Sequence, residues 1–223
     1  MLNLKKKIIM KKFNFSEAKK IVIKLGSSTV TNDGDGLDEK CLSSLIKQIS
    51  ILSSQNKKII LVSSGAIAAG LRKLGIKKRP KVISELQSAA AVGQMDLVRV
   101  YEELFSDNNL ISAQVLLTHN DLSDRKRYLN ARSTIFNLIK NNVIPVINEN
   151  DTVASEEIRF GDNDSLAAMV ANLIEADLLI LLTDQDGLFS SDPREDNNAK
   201  LIHHGYSDDK SLDNVAADTK SEI

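Results

Sequence analysis

The chain has 223 residues, with 29 Lys and Arg against 30 Asp and Glu, three His and one Cys. A chain of this length buries a substantial core and fits one large domain better than two. Its net charge of −1 argues against a dedicated nucleic-acid-binding protein, and no apolar run approaches the roughly 18 residues of a membrane span. The single cysteine excludes an intrachain disulfide, which fits a reducing, cytoplasmic location.

Basic residues are concentrated at the start of the chain. The first 20 residues carry seven lysines and one acidic residue, Glu17. This composition predicts a basic, poorly ordered N-terminal arm over residues 1–18, followed by one domain over residues 19–223.

Five apolar runs rich in β-branched residues alternate with helical patterns along the chain. All five strands are predicted to be buried on both faces, as in a parallel sheet that helices cover. The alternation predicts an α/β fold, a three-layer αβα sandwich with a mainly parallel sheet. The predicted strands are 21–23, 59–62, 111–117, 143–147 and 178–182, and the predicted helices include 42–52, 84–106, 124–140 and 165–175.

Ligands of such folds bind at the carboxyl ends of the strands, and two of these ends suit an anion. The first strand ends in Lys24-Leu-Gly-Ser-Ser28, which combines a positive charge with a turn whose N–H groups can approach phosphate oxygens. The second ends in Ser63-Ser-Gly-Ala-Ile-Ala-Ala-Gly70, where small residues lead into a helix whose first N–H groups favour anions. Close packing of those small residues between helix and strand explains the second sequence equally well.

Two clusters of carboxylates and carboxamides, residues 148–151 and 162–164, flank a short spacer. The first follows the fourth strand and the second opens a helix. Such groups are costly to bury without partners, so together they predict a ligand that supplies ammonium, hydroxyl or metal. Each cluster taken alone also fits a turn or a helix cap. The fifth strand ends in Thr183-Asp-Gln-Asp-Gly187, and the third in the less distinctive Thr118-His-Asn-Asp121.

Several other chemistries lack the residues that they need. Leu71 and Arg72 stand where a Walker A loop requires Lys and Ser or Thr, no dinucleotide fingerprint appears, and no His or Cys spacing suits a metal. What remains is a lysine, glycine turns, a serine and acids without an evident general base. This set suits phosphoryl transfer to an acceptor that is already anionic, such as a carboxylate.

These motifs resemble, in the same order, those of the glutamate 5-kinases, which belong to the amino acid kinase superfamily. The resemblance covers about residues 20 to 205 and implies ATP- and Mg²⁺-dependent phosphorylation of the γ-carboxylate of L-glutamate, the first step of proline synthesis. The matching segments are Ile23-Lys-Leu-Gly-Ser27, Val62-Ser-Ser-Gly-Ala-Ile-Ala-Ala-Gly70, Val146-Ile-Asn-Glu-Asn-Asp151, Gly161-Asp-Asn-Asp164 and Leu182-Thr-Asp-Gln-Asp-Gly187, with support from Ala89-Ala-Ala-Val-Gly-Gln94 and Arg127-Tyr-Leu-Asn-Ala-Arg132.

The resemblance also implies roles for individual residues. Lys24 would contact ATP and neutralise the moving phosphoryl group, with Asp164 holding the lysine in place. Ser64, Asp151 and Asn163 would bind glutamate, with Asp162 as a helper, and Thr183 and Asp184 would line the nucleotide pocket. No residue is assigned to a protein-held metal. Proline as feedback inhibitor, glutamyl-phosphate reductase as partner and a homo-oligomeric state are further expectations.

Two family features are absent from the sequence. It ends at Ile223, where the glycine-rich segment with a second lysine is expected to begin, and it has no PUA domain. The kinase domain is therefore expected to be C-terminally incomplete. The alternatives are an N-acetylglutamate, aspartate or UMP kinase of the same superfamily, or a truncated, non-catalytic module that binds glutamate or proline.

Overall fold

The computed structural model of the protein describes residues 14–31, 36–154, 163–206, 209–210, 212 and 215. Strands and helices alternate along this part of the chain. The strands are β1 (Lys20–Leu25), β2 (Lys58–Ser63), β3 (Ile111–Leu117), β4 (Val143–Glu149) and β5 (Leu178–Leu182). The helices are α1 (Ser27–Val30), α2 (Glu39–Ser54), α3 (Ala66–Lys73), α4 (Ile83–Ser106), α5 (His119–Ser123), α6 (Arg125–Lys140) and α7 (Asn163–Ile174).

The five strands form one sheet in the order β3-β4-β2-β1-β5, and every neighbouring pair is parallel. β1 therefore lies inside the sheet, where Lys24 is level with Val62 on one side and Leu181 on the other. Because all strands point the same way, their carboxyl ends meet at one edge, where ligands of such folds bind.

Helices cover both faces of the sheet, which confirms the predicted three-layer α/β sandwich. Alternate residues of each interior strand point to opposite faces, so that Ile21 and Ile23 join one core and Val22 the other. One core lies between the sheet and helices α2 and α4, and the other between the sheet and helices α5, α6 and α7.

The prediction that all five strands are buried on both faces was wrong for β3 and β5. Ile111 of β3 is 66% exposed and Leu181 of β5 is 45% exposed, whereas β1, β2 and β4 are buried almost throughout. β3 and β5 are the two edge strands of the described sheet. An apolar run indicates a strand but cannot distinguish an edge position from a central one.

Helix ends in this fold are set by local side-chain and backbone chemistry. Asp38 caps α2 by accepting from the Cys41 N–H, and Asp124 caps α6 by accepting from the Arg127 N–H. The turns that lead into β2, β3 and β4 each contain an asparagine with positive φ, a conformation that Asn tolerates well. These are Asn56, Asn109 and Asn142.

Helices α3 and α4 cross at very short distance because glycine faces the partner helix at the crossing point. A Cβ atom at Gly70 would lie 1.7 Å from the Ala89 carbonyl oxygen, and one at Gly93 would lie 1.8 Å from the Ala66 carbonyl oxygen. The small residues after β2 thus serve close packing of helix on helix, where the sequence had suggested packing of helix on strand.

Gly93→Ala is expected to lower the free energy of unfolding by about 3 kcal/mol, because the added methyl group forces the two backbones apart. Thermal or denaturant unfolding measures this change. Gly75→Asn is the matched control, since Gly75 has φ +71° and a Cβ atom there would have no neighbouring atom within 4 Å, and Asn accepts such a φ. Equal stability of Gly93→Ala and the parent would contradict the crossing geometry.

Residues 14–18, the last five of the predicted arm, contact the domain. They include a short 3₁₀ helix, Phe15–Glu17, and the buried Ala18. The Lys57 ammonium donates to the carbonyl oxygens of Ser16 and Ala18. The rest of the arm lies outside the described residues. Among the helices of the described part of the chain, none is long and apolar enough to cross a membrane.

Candidate active site

The strongest charge pair at the carboxyl edge of the sheet joins β1 to α7. Lys24 is 8% exposed, and its Nζ lies 2.6 Å from Oδ1 of Asp164. Asp164 is in the first turn of α7, where a carboxylate interacts favourably with the helix dipole, and its side chain is 48% exposed. The pair therefore holds a buried ammonium at a fixed position at this edge.

The turn after β1 leaves space beside this ammonium. The Gly26 N–H donates to the Leu182 carbonyl oxygen at 3.1 Å, which fixes the turn against the end of β5. A Cβ atom at Gly26 would lie 3.3 Å from that oxygen and 3.5 Å from the Lys24 Nζ. Glycine at this position thus keeps the approach to the ammonium open.

The turn after β2 lies next to the turn after β1. The Ser64 N–H donates to the Leu25 carbonyl oxygen at 3.1 Å, and Gly65 begins α3 with φ +101°. A Cβ at Gly65 would lie 3.0 Å from the Val30 side chain, so both space and backbone conformation favour glycine. The N-cap of α3 is Gly65, which has no side chain to accept from the first turn, and the N–H groups of a helix start favour an anion.

Asn163 connects three of the elements that meet at this edge. Its Nδ2 donates to the Ser63 carbonyl oxygen at 2.7 Å, the Ser64 Oγ at 3.0 Å and the Asn148 Oδ1 at 2.9 Å. The residue is 7% exposed. Two predicted glutamate ligands, Ser64 and Asn163, are therefore in direct contact, and the amide nitrogen of Asn163 is already used by protein acceptors.

Asp151 lies in the turn after β4, beside the end of the α3–α4 pair. Burial raises the pKa of Asp151 to about 6, although the positive charge of Arg79 acts in the opposite direction. The ionised form still predominates at pH 7, and because Arg79 offsets only part of the cost of burial, a further cation would stabilise it. A ligand ammonium would supply that cation.

Thr183 and Asp184 follow β5 and are exposed. The Thr183 hydroxyl donates to Asp184 Oδ1 at 3.0 Å. Leu182 is level with Leu25 in the sheet, so Thr183 and Asp184, which follow Leu182, begin beside the turn at Gly26. The structure thus brings Lys24, Asp164, Ser64 and Asn163 together, with Thr183 and Asp184 on one side. Asp162, the predicted helper, lies outside the described residues.

Residues at the ends of β3 and β4 add a second, less obvious pair. Thr118 and Asp121 form a capping box at the start of α5, so the sequence after β3 is a helix start. His119 Nδ1 lies 3.6 Å from Oε2 of Glu149, which is 8% exposed. The sequence placed Glu149 in the cluster of residues 148–151 without a role of its own and gave His119 no role.

Arg132 holds the far end of α7. It donates to the Leu173 carbonyl oxygen, pairs with Glu175 at 2.7 Å and lies over the Phe136 ring at 4.7 Å. A cation at a helix C-terminus is favourable. Arg132 thus supports the helix whose first turn carries Asn163 and Asp164.

A cleft of about 430 Å³ lies at the opposite edge of the sheet, among the turns that precede β2, β3 and β4. Its asparagines form those turns, and its lysines have protein partners: Lys57 binds two carbonyl oxygens and Lys58 binds Asn142 Oδ1 at 2.7 Å. Both lysines of this cleft are therefore already bound by protein oxygens.

Comparison with known sequences identifies the fold family. The sequence profile described as "Amino acid kinase family" matches residues 19–216. The chain belongs to the amino acid kinase family.

Members of this family among curated proteins are similar over nearly the whole chain. A protein of Nitrosospira multiformis named glutamate 5-kinase is 58% identical over 207 residues, which are 93% of this chain and 56% of the relative. Proteins of the same name from Nitrosomonas eutropha and Aromatoleum aromaticum are each 56% identical, over 92% and 89% of this chain and 55% and 54% of their own lengths. The chain thus spans a little over half the length of these relatives.

Proposed function

We propose that the protein catalyses the ATP-dependent phosphorylation of the γ-carboxylate of L-glutamate, which yields γ-glutamyl phosphate for proline synthesis. The observation that carries this proposal is the Lys24–Asp164 pair, 2.6 Å apart, beside Ser64 and Asn163 at the carboxyl edge of the sheet. The names of the similar proteins, all glutamate 5-kinases, support the same substrate.

The reaction needs no general base. A γ-carboxylate oxygen of glutamate forms a bond to the γ-phosphorus of ATP, the bond from that phosphorus to the bridging oxygen breaks, and ADP leaves with the electron pair. Glutamate is ionised at pH 7, so no proton must be removed from the acceptor. Catalysis then consists of positioning and charge neutralisation, which is what Lys24 offers.

Each remaining residue has a role suited to its surroundings. Asp151 would bind the α-ammonium of glutamate, because burial outweighs the charge of Arg79 and a further cation would stabilise the carboxylate. Ser64 and Asn163 would bind the polar groups of the same substrate. Thr183 and Asp184 would contact the nucleotide, next to the Gly26 turn.

Mg²⁺ would enter with ATP and neutralise phosphate charge. Mg²⁺ in kinases keeps waters and phosphate oxygens as ligands and takes only one or two carboxylates from the protein. Over the residues that the structure describes, no group of three or more His, Cys, Asp and Glu side chains could hold a metal by itself. Proline inhibition, a reductase partner, a homo-oligomeric state, a cytoplasmic location and the domain boundaries stay predictions.

Substrate-dependent ADP release from the full-length protein tests the assignment. Glutamate is expected to give the highest kcat/KM, with N-acetylglutamate far lower, because an acetylated nitrogen is neutral and cannot pair with the Asp151 carboxylate. Aspartate and UMP serve as the other competitors. A preference for any of the three over glutamate would overturn the proposal, and tight glutamate binding without turnover would favour a non-catalytic module.

A further inference from the structure

A set of hydrogen bonds, buried except at its half-buried Gln94 end, runs behind the site and returns to the helix where it starts. It begins at Tyr101 on α4, which bonds to the Ser63 hydroxyl. Asn163 bonds to the Ser63 carbonyl oxygen and to Asn148, and Asn148 bonds to Gln94 on the same helix. Gln94 and Tyr101 are seven residues apart, so they lie on one face of α4, two turns apart. We call these five residues the α4 ring.

The Tyr101 end of the ring is fully buried. Tyr101 is 1% exposed, and its hydroxyl oxygen lies 2.8 Å from Ser63 Oγ, with either hydroxyl able to donate. Ser63 Oγ also lies 3.1 Å from the Ser64 carbonyl oxygen, which can accept from it. Burial raises the pKa of Tyr101 well above its usual value, and the phenol therefore keeps its proton.

The Gln94 end fixes the orientation of Asn148. Gln94 Oε1 accepts from Asn148 Nδ2 at 2.8 Å, and this leaves Asn148 Oδ1 facing the Glu149 N–H and Asn163 Nδ2, both at 2.9 Å. Asn148 is 2% exposed. Buried amides of this kind have few alternative partners, so loss of one bond propagates to the next.

We propose that Tyr101 and Gln94 are positioning residues that fix Asn163, and through it Ser64, for glutamate. This inference rests on the proposed function and extends it to a helix that none of the assigned site residues occupies. Tyr101 fixes the Ser63 side of Asn163 from behind β2, and Gln94 fixes the Asn148 side from behind β4. The ring does not include the Lys24–Asp164 bond. Tyr101 and Gln94 are therefore expected to affect glutamate binding more than phosphoryl transfer.

Steady-state kinetics of the full-length protein test the proposal. Tyr101→Phe and Gln94→Met each remove one hydrogen-bonding atom from the ring and keep most of the packing. Each is expected to raise the KM for glutamate about three- to tenfold, with the KM for ATP unchanged and kcat within about twofold of the parent. Gln94→Glu keeps an accepting oxygen for Asn148 and is expected to restore the parent KM. Tyr128→Phe, which removes a tyrosine hydroxyl from α6, is the matched control.

The double variant separates positioning from a general loss of packing. Because both residues act through Asn163, its KM is expected to rise by less than the product of the two single effects. The side-chain amide signals of Asn163 in ¹⁵N–¹H spectra are expected to exchange with solvent faster in each single variant than in the parent. This readout needs no catalytic activity.

The outcomes distinguish this inference from the function on which it rests. No glutamate-dependent turnover by the parent protein would overturn the proposed function. Normal parent activity with an unchanged KM in both single variants would overturn the inference alone. A double variant that shows the full product of the single effects would also overturn it, since the two residues would then act separately.

Discussion

Lys24→Met is expected to lower kcat by about 10²- to 10³-fold while leaving the KM for glutamate within a few-fold of the parent value. The ammonium acts on charge that is spread over the phosphoryl oxygens during transfer, so its loss is felt mainly in the transition state. Methionine keeps the unbranched aliphatic chain, so the substitution removes charge and retains most of the packing along β1.

The surroundings of Lys24 require that folding be checked before the kinetics. The Asp164 side chain is 48% exposed overall, but the Oδ1 that binds Lys24 is itself buried. Removal of the ammonium leaves a negative charge at that buried oxygen, which costs stability. The variant is therefore expected to have a lower Tm, and its kinetics are compared at a temperature at which a melting curve shows it to be folded.

Lys58→Ala is the matched control for Lys24→Met. Lys58 begins the neighbouring strand β2, at the opposite edge of the sheet, where it binds Asn142 Oδ1 at 2.7 Å. Its loss is expected to leave kcat unchanged. If Lys24→Met retained the parent kcat and changed only a Michaelis constant, Lys24 would be a binding residue and its proposed catalytic role would be wrong.

The sequence predicted the layered fold well because each strand interior has a strong local signal. The runs in β1, β2 and β4 are apolar on both faces, and in the structure those strands occupy the middle of the sheet. The order of the strands within the sheet is a property of crossovers between distant segments. Apolar runs do not encode it, so the edge positions of β3 and β5 were missed.

The candidate site was predictable where charged or glycine-rich sequence follows a strand. Lys24 and Asp164 are 140 positions apart and were paired only through a family resemblance; the structure has them 2.6 Å apart. A short local pattern such as the glycine after β2 indicates the backbone conformation of that residue even when the tertiary structure is unknown. Here Gly65 has the positive φ that only glycine adopts readily.

The α4 ring could not be predicted, because hydrogen-bond partners across layers leave no periodic pattern. Gln94 and Tyr101 sit within a helix face that is otherwise apolar or small, next to Ala90, Leu97 and Phe105. A polar group on such a face must find a partner when buried, so the pattern indicates that partners exist. Which groups they are depends on how α4 crosses β2 and β4, and only the structure supplies that.

Asp151→Asn is expected to raise the KM for glutamate about ten- to a hundredfold at pH 7, since a charge-assisted bond to the substrate ammonium is lost. The KM for ATP is expected to stay near the parent value, because Thr183 and Asp184 lie beyond β1 from this turn. Asparagine keeps the shape of the side chain and removes its charge. Asp107→Asn, at the exposed end of α4, is the control and should leave both constants unchanged.

The pH dependence of the KM for glutamate gives an independent check of the role of Asp151. Burial raises the pKa of Asp151 to about 6, and only the ionised form attracts an ammonium group. The parent KM for glutamate is therefore expected to be flat above pH 7 and to rise as the pH falls through 6, approaching tenfold for each further pH unit. The γ-carboxylate of glutamate, with a pKa of about 4.3, stays mostly ionised over this range. In Asp151→Asn the rise should be absent.

Stability separates this role from a purely structural one. A carboxyl group whose pKa is raised by folding destabilises the folded state when it is ionised. For Asp151 this loss of stability is fully present above pH 6. Replacing the carboxylate with a neutral amide is therefore expected to leave Tm at pH 7 equal or higher. A turn-forming or capping aspartate would behave in the opposite way, with a lower Tm and an unchanged KM. That result, or a KM in Asp151→Asn that still rises below pH 6, would remove Asp151 from the glutamate site.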